Sequence, residues 1–560
     1  MLKKDRKVGK APSRVPPSVD GLQINACRNL ACPNFGKPPF QKVGRGLYGK
    51  KDGYRISGGW KPHVYRMLYC TLCGESLTLK SNHAVMEELD RLWKPLIPPA
   101  GPACKNKMCP NYCVSVDCAP AEYQRFGKTA IGSPRYRCKH CQKTFSITSN
   151  PTHRQRKPEK NDLIFRALIN KVPMRRICEL IEIQPAVLYQ RLKFIQEQCH
   201  RFSRSFEQAL IDGKHIDELH LTVDRQEYVL NWGTQFNRRN TQLAAVASAD
   251  NKTGYVFGMH LDYDPDVDTY EADLHAREIG DYEVDRAYRY YARIWLPEDY
   301  DLSQSVIENA DISAPSNGTR VYREYTLFAH FMFLRRLLPG AEKILFFMDQ
   351  ESNIRAACFS AFNDWILEGK VESFLVRINK SLTIDEKRLA LASREQMFSR
   401  LREDFSDSSD WRIARILMEE EYKSQLTSER KVSSRWVRHP LPNMGEPEKS
   451  VCFISDRGKH SAKEVADMML WASMHSVDRY FMLLRRRISL LERPIATASS
   501  NRRIWHGGSP YNPEVVSRLL DSFRVAYNFS LAGKDYKTPA MRLGISDRPY
   551  SLGEILNWDG

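Results

Sequence analysis

The spacing of apolar and polar positions changes period along this 560-residue chain. Between about residues 160 and 202 apolar residues recur at three and four, which lines one face of a helix. "DLIFRALINK" carries such a face, "VPMRRICELIEI" opens a short helix with Pro173 near its first turn, and "QPAVLYQRLKFIQEQCHRF" opens a longer one behind Pro185. Proline is tolerated there because first-turn amides have no partner inside a helix. Short helix, turn and longer basic helix predict a helix-turn-helix, whose second helix enters the major groove of DNA. From residue 219 the texture turns to strands. "LHLTVDRQEYVLNW" reads as a strand with an acid inside it, "LAAVASADNKTGYVFGMHLDY" as two strands around the "ADNKTG" turn, and "KILFFMDQES" as a buried strand ending at Asp349. Helical spacing returns in "MHSVDRYFMLLRRRISLLERP", where Asp478, Met482 and Arg485 share a face.

Between the last two elements lies an insertion of roughly residues 360–465. "REQMFSRLREDF" and "IARILMEEEYKSQL" within it predict helices, and "SSRWVRHPLPNMGE" does not. The acidic stretch "DPDVDTYEADLHAREIGDYEVDRAYRYYARIW" follows no clear period.

Composition supports real cores, with 42% apolar and 11% aromatic residues. No apolar run approaches the roughly 20 residues of a membrane span, and the basic start lacks the apolar stretch of a signal peptide. The expectation is a cytoplasmic protein with no membrane partner. The net charge of +18 sits at the front: residues 1–160 hold 30 Lys and Arg against 10 Asp and Glu. That end is built to meet a polyanion.

Eight of the 14 cysteines fall at that same end, as Cys27/Cys32, Cys70/Cys73, Cys104/Cys109 and Cys138/Cys141. They spell two copies of C-x4-C…C-x2-C, and the likeness extends beyond cysteine: "ACRNLACPN" against "ACKNKMCPN", "CTLCGESLTLKSN" against "CKHCQKTFSITSN". Two such pairs complete a tetrahedral thiolate site that folds a domain with little core of its own. Disulfides are the alternative, disfavoured by the tight spacing and the missing secretory signal. Two zinc ribbons with two structural Zn²⁺ are therefore predicted. Cys113 and Cys118 lie inside the second unit as spare core residues or competing ligands, and Cys178, Cys199, Cys358 and Cys452 read as buried hydrophobes. Around the last pair, Arg135, Arg137, Lys139 and Lys143 with Tyr136 and Phe145 suit phosphate contacts. On the longer helix the candidate contacts are Gln184, Tyr189, Gln190, Arg191 and Lys193.

Asp224 in a strand, Asp349 at a strand end and Asp478 on a helix form the set that holds two divalent ions about 3.5–4 Å apart for in-line displacement at phosphorus. Each alone has a plainer explanation as a cap, turn former or ion-pair partner. Asp212 and Asp217 compete for the first position, and Glu492 for the third.

The order of "RYRCKHC", helix-turn-helix, strand acid, "FFMDQES", "VDRYFMLLRRRISLLERPI" and the tail "FRVAYNFSLAGKDYKTPAMRLGI" resembles the DDE transposases of bacterial insertion sequences over roughly residues 100–545. The resemblance implies an RNase H-like catalytic fold, cleavage at transposon ends with two Mg²⁺ (Mn²⁺ as a substitute) held by Asp224, Asp349 and Asp478, and attack by the freed 3′-hydroxyl on target DNA. The chain departs from the family at two points. Asp478 stands where the family usually has Glu, and it follows Asp349 by 129 residues, which the insertion explains. Insertions at this place in related enzymes often hold a transposon-end hairpin or flipped base, a role that Trp436 between Arg435 and Arg438, beside His439, would suit unless it simply anchors the insertion's core. Arg485, Arg486, Arg487, Arg493 and Arg502 suit the phosphates of the cleaved strand.

The predicted architecture is a multidomain α+β and α/β chain. It comprises a basic tail (1–20), zinc ribbon 1 (21–98), zinc ribbon 2 (99–152), a helix-turn-helix domain (153–208), an RNase H-like mixed-sheet core (209–358 and 467–560, the latter with C-terminal helices) and a mostly helical insertion (359–466). Its expected partners are double-stranded DNA, both transposon ends and target, and further copies of itself. The rivals are a catalytically silent DNA-binding regulator and a nuclease that cuts without joining.

Overall fold

The computed structural model describes residues 13–41, 52–58, 66–98, 101–112, 114–130, 132–146, 151–152, 155–232, 240–303, 318–404, 409–427, 432–492, 495–496, 504–505 and 510–559. Cys113, Arg493 and Arg502 lie outside them. The chain divides into two units, neither continuous in sequence. One comprises 1–92, 211–483 and 509–517; the other comprises 93–210, 484–508 and 518–560. The two cysteine-bearing repeats thus belong to different units.

The first unit is built on a mixed seven-stranded sheet, here numbered in chain order: β1 Ile216–Asn231, β2 Asn240–Asp250, β3 Val256–Leu261, β4 Ala341–Met348, β5 Val371–Ile378, β6 Trp436–Arg438 and β7 Lys449–Phe453. In space the order is β6-β7-β5-β4-β1-β2-β3. β1, β2 and β3 form an antiparallel meander, as the "ADNKTG" turn predicts, with Gly254 at positive φ. β4 pairs parallel with β1, and β5 parallel with β4. These two strands are all but wholly buried, as parallel strands covered on both faces must be.

Alternate residues of the sheet meet different layers. Phe346 contacts Phe331 of the Arg323–Leu337 helix and Phe362 beyond the Ser352–Ala361 helix. On the opposite face Phe347, Phe374 and Phe453 form an aromatic row, with ring centroids 5.4 and 4.7 Å apart, and Phe347 meets His220 edge-on.

β5 falls inside the predicted insertion, so the core continues to Ile378. The true excursion is shorter and carries the helices Ile384–Asp404 and Asp410–Leu426. Its return through β6 and β7 widens the core sheet.

Ribbon 1 is fastened to this sheet unit. Arg14 and Val15, assigned from sequence to a basic tail, belong to it: Val15 is buried and Arg14 is ion-paired with Asp52. Phe35 packs edge-on against Phe359 at 5.8 Å, and Arg28 donates to Ser360 Oγ at 3.2 Å. The irregular acidic stretch receives the ribbon's other side, with the Arg66 amide donating to Asp285 and Tyr288 Oη donating to the Arg14 carbonyl. Deepest is Glu88 on the Asn82–Trp93 helix, a fully buried carboxylate held by Arg91 (2.6 Å), Arg293 (2.9 Å) and Thr326 Oγ1 (2.9 Å).

In the second unit, ribbon 2 is followed by helices Lys160–Leu168, Met174–Ile181 and Pro185–Ile211. The turn between the last two passes through Glu182 in the left-handed region, whose amide bonds back to Cys178. The C-terminal segment closes on the long helix: Phe202 and Phe206 meet Phe529, Tyr550 and Trp558, and Arg524 pairs with buried Glu207. In the "YKTPAMRLGI" tail, Thr538 caps the Pro539–Leu543 helix and Gly544, at φ 74°, ends it.

Replacing Glu88 by Ala leaves Arg91 without its carboxylate and Arg293 with Asp264 alone. Chemical denaturation should read a loss of about 3–5 kcal/mol, whereas Asp162→Ala, which breaks an exposed pair with Arg166, should cost no more than about 1 kcal/mol.

Candidate active site and metal centres

Both four-cysteine sites form as the spacing predicts. Cys27, Cys32, Cys70 and Cys73 gather with all sulfurs within 4.8 Å of one another, as do Cys104, Cys109, Cys138 and Cys141. Three thiols of each set are buried and one is half-buried. None of them is in a disulfide. Burial pushes the Cys27 thiol up and the Cys104 thiol to about 12, whereas the Lys143 amide and neighbouring donors hold Cys141 down to about 6. Four sulfurs this close need a cation between them to be thiolates together, and the donor set fits Zn²⁺.

The repeat reaches beyond the cysteines. Asn34 donates to Cys70 Sγ, and Asn111 to Cys138 Sγ. The Cys27 amide donates to Tyr54 Oη and the Cys104 amide to Tyr123 Oη, while each hydroxyl bonds to a carbonyl just past the first cysteine pair. Tyr54 stands opposite Cys70 in its hairpin, as Tyr123 stands opposite Cys138. Sequence reasoning missed this tyrosine pair because the loops before them differ in length. Cys118 is exposed and stands outside the thiol cluster.

The acids are brought together by register. Val223 of β1 lies beside Met348 of β4, so the next residues, Asp224 and Asp349, are neighbours where β4 ends. Asp478 sits in the first turn of the His475–Arg487 helix. Burial first, then the charges of Asp478 and Asp349, push the Asp224 carboxyl up to about 6, against the Arg225 amide and Lys380. Asp478 is likewise raised, by burial and by Glu446 and Asp349. The three thus feel one another, although their oxygens do not all lie within 4.8 Å.

Two further residues shape the site, and the sequence reading named neither. Lys380, two residues past β5, places Nζ 3.8 Å from Asp478 Oδ2. Glu446 accepts from the Met474 amide (2.7 Å) and Ser473 Oγ (2.9 Å) and pairs with buried Lys449, so it fixes the start of the Asp478 helix. A basic residue just past a strand was the only available signal for Lys380, and Glu446 carried none.

The alternative acids lie elsewhere. Asp217 is exposed at the start of β1, beside His215 and Glu342. Seven residues from Asp224, it is about 23 Å along the strand. Asp212 falls between the long helix and β1. Glu492 is half-exposed and pairs with Lys171 at 2.6 Å.

Among the predicted DNA contacts, Gln184, Tyr189, Gln190 and Lys193 are exposed around the start of the long helix. Arg191 is not free: it is buried and donates to the Arg156 carbonyl. On ribbon 2 the guanidinium groups of Arg135 and Arg137 lie 5.7 and 5.5 Å from the centre of the exposed Phe126 ring, and Lys139 and Lys143 are exposed. Phe126 was missed because only strand pairing brings it beside the two arginines. Arg485, Arg486 and Arg487 end the Asp478 helix, where cations suit the helix dipole; Arg486 is exposed, and Arg487 bonds to Asn170.

Trp436 lies in β6, with Arg377 over its ring at 4.6 Å. Its pairing runs through Cys452, Leu375 and Met348 to Val223, so its side chain projects from the face opposite Asp224. Arg435 pairs with Asp456, and His439 is buried against the Leu470 carbonyl. These residues therefore do not converge with the acids.

No protein-family model matches the chain, and a comparison with curated proteins finds no match. Among the described residues no helix is long and apolar enough to cross a membrane.

Elemental analysis of purified protein should find two zinc equivalents per chain; fewer would remove one of the thiolate sites. The Asp224 carboxylate, raised in the fold, costs stability above its folded pKa of about 6, and that cost disappears as pH falls below the unfolded value near 4. Asp224→Asn should therefore stabilise the metal-free protein by about 3 kcal/mol at pH 7.5 and not at pH 4, as read by thermal melts.

Proposed function

We propose that the chain is a DDE-type transposase that binds the ends of its element, cuts DNA beside them and joins the freed end to a target. The observation that carries this reading is the juxtaposition of Asp224 and Asp349 on parallel neighbours, with Asp478 at the start of a helix, where its charge reaches Asp224. A meander continued by two parallel strands, with acids at these three places, supports an RNase H-like core. An exposed helix start bearing Gln190 and Lys193 and a basic ribbon supply the means of holding duplex DNA.

Two Mg²⁺ would be held by Asp224, Asp349 and Asp478, activating the attacking oxygen and stabilising the leaving one. Asp224 and Asp349 stand on the sheet and fix one side of the site. Glu446 holds the start of the Asp478 helix through the Met474 amide and the Ser473 hydroxyl, which fixes where the third carboxylate stands. Lys380 places a cation beside the acids, suited to the phosphate of the strand being cut. Handling two ends together implies at least a dimer on DNA.

The test is cleavage and strand transfer on duplexes carrying the element's terminal sequence, with Mg²⁺ or Mn²⁺. Asp349→Ala and Asp478→Ala should each lower both steps by at least about a hundredfold with end binding retained. Binding without chemistry in the unaltered protein would favour a regulator, and cutting without joining a nuclease.

A further inference from the structure

The two ribbons share one construction, so the first is an internal reference for what the second does not do. In ribbon 1 the loop of the first cysteine pair is an anchoring surface. Arg28 lies over Phe328 at 5.4 Å and donates to Ser360, and Phe35 meets Phe359. Gly36, at φ 68°, approaches so closely that a Cβ there would come within 2.9 Å of Asn363 Nδ2. Aligned on the cysteines, the same positions in ribbon 2 are Lys105 for Arg28, Lys107 for Leu30, Met108 for Ala31, Tyr112 for Phe35 and Cys113 for Gly36.

At the position of Gly36 the sequence has cysteine, and apolar Leu30 gives way to a cation. Lys105 and Lys107 are exposed, Met108 is 91% exposed and Tyr112 40%. Residues 101–146 as a whole carry Lys and Arg at eight positions against Asp117 and Glu122 alone, and Glu122 is bonded to Asn111. A surface with two lysines followed by a protruding thioether, on a domain of that charge, matches a phosphate backbone with a groove beside it.

We propose that the Cys104–Cys109 loop of ribbon 2 is a sequence-independent contact for the DNA backbone, with Lys105 and Lys107 on phosphates and Met108 and Tyr112 against the sugar edge of the groove. The equivalent loop of ribbon 1 is occupied within the protein and touches no DNA. The proposal rests on the DNA-binding part of the function given above and adds a third contact, separate from the long helix and from the Arg135–Phe126–Arg137 group.

The experiment measures the full-length protein's affinity for a labelled duplex at several salt concentrations, comparing wild type with Lys105→Ala/Lys107→Ala and with Met108→Ala. Losing two phosphate contacts should make the slope of log K against log salt shallower by about 1.8 and weaken terminal and unrelated duplexes equally. Met108→Ala should weaken both duplexes while leaving the slope unchanged. Two zinc equivalents and an unchanged melting temperature would show that the variants are folded. An unchanged slope in the lysine variant, with wild type binding normally, overturns the proposal while leaving the DNA-binding function standing. Failure of wild type to bind any duplex overturns both. Loss of self-association instead of duplex affinity would make the loop a protein interface, and the proposal would fall.

Discussion

The arrangement depends on one strand register, Val223 of β1 beside Met348 of β4. Parallel strands with that pairing carry their next residues side by side, and those residues are both aspartate. A slip of one position would turn one carboxylate into the opposite layer, where Phe331 and Phe362 lie. The register is itself fixed by buried side chains on both faces: Leu221 and Val223 on one, His220 and Thr222 on the other, each essentially without exposure. The hydrophobic core thus forces like charges together, and Asp224 answers by holding its proton to higher pH. Such a site is poised for cations, which relieve the repulsion that burial has imposed.

The same logic explains the duplicated ribbons. A four-thiolate knuckle is a rigid object that needs little core, so its outer surface is free to be rewritten. In ribbon 1 that surface carries Arg28, Phe35 and Gly36 and clasps the helix that begins just after Asp349. In ribbon 2 it carries lysines, Met108 and Tyr112. The inner scaffold of two cysteine pairs, an asparagine and a tyrosine is common to both. One framework therefore serves once as masonry and once as a charged, exposed module, and the basic front of the sequence is shared unequally between them.

Much of this was legible in the chain. Cysteine spacing gave both four-thiol clusters because ligand geometry is local, and the prolines at 173 and 185 placed the starts of the two helices because they act locally. Asp224 and Asp349 could be chosen because strand period is visible in apolar residues. What escaped was set by long-range pairing. β5 was hidden inside an apparent insertion because "VESFLVRI" is too short to declare its partner. Arg191 looked like a DNA contact because helix spacing does not reveal that the Arg156 carbonyl lies within its reach. Trp436 looked like a stacking residue beside the acids, and only the ladder from β6 to β1 puts it on the other face.

Lys380 and Glu446 show how the third acid is held when the chain wanders so far between the second and the third. An excursion of two long helices would ordinarily loosen the helix that follows it. Here the excursion returns as β7, and Glu446, just before that strand, bonds to the amide that opens the Asp478 helix. Its own negative charge is matched by Lys449, buried with it, so that the cap adds little net charge behind the site. Lys380, just past the end of β5, then places its cation 3.8 Å from Asp478. Burial raises the Asp478 carboxyl, Lys380 opposes that rise and Glu446 adds to it, so both ends of the excursion act on the same group.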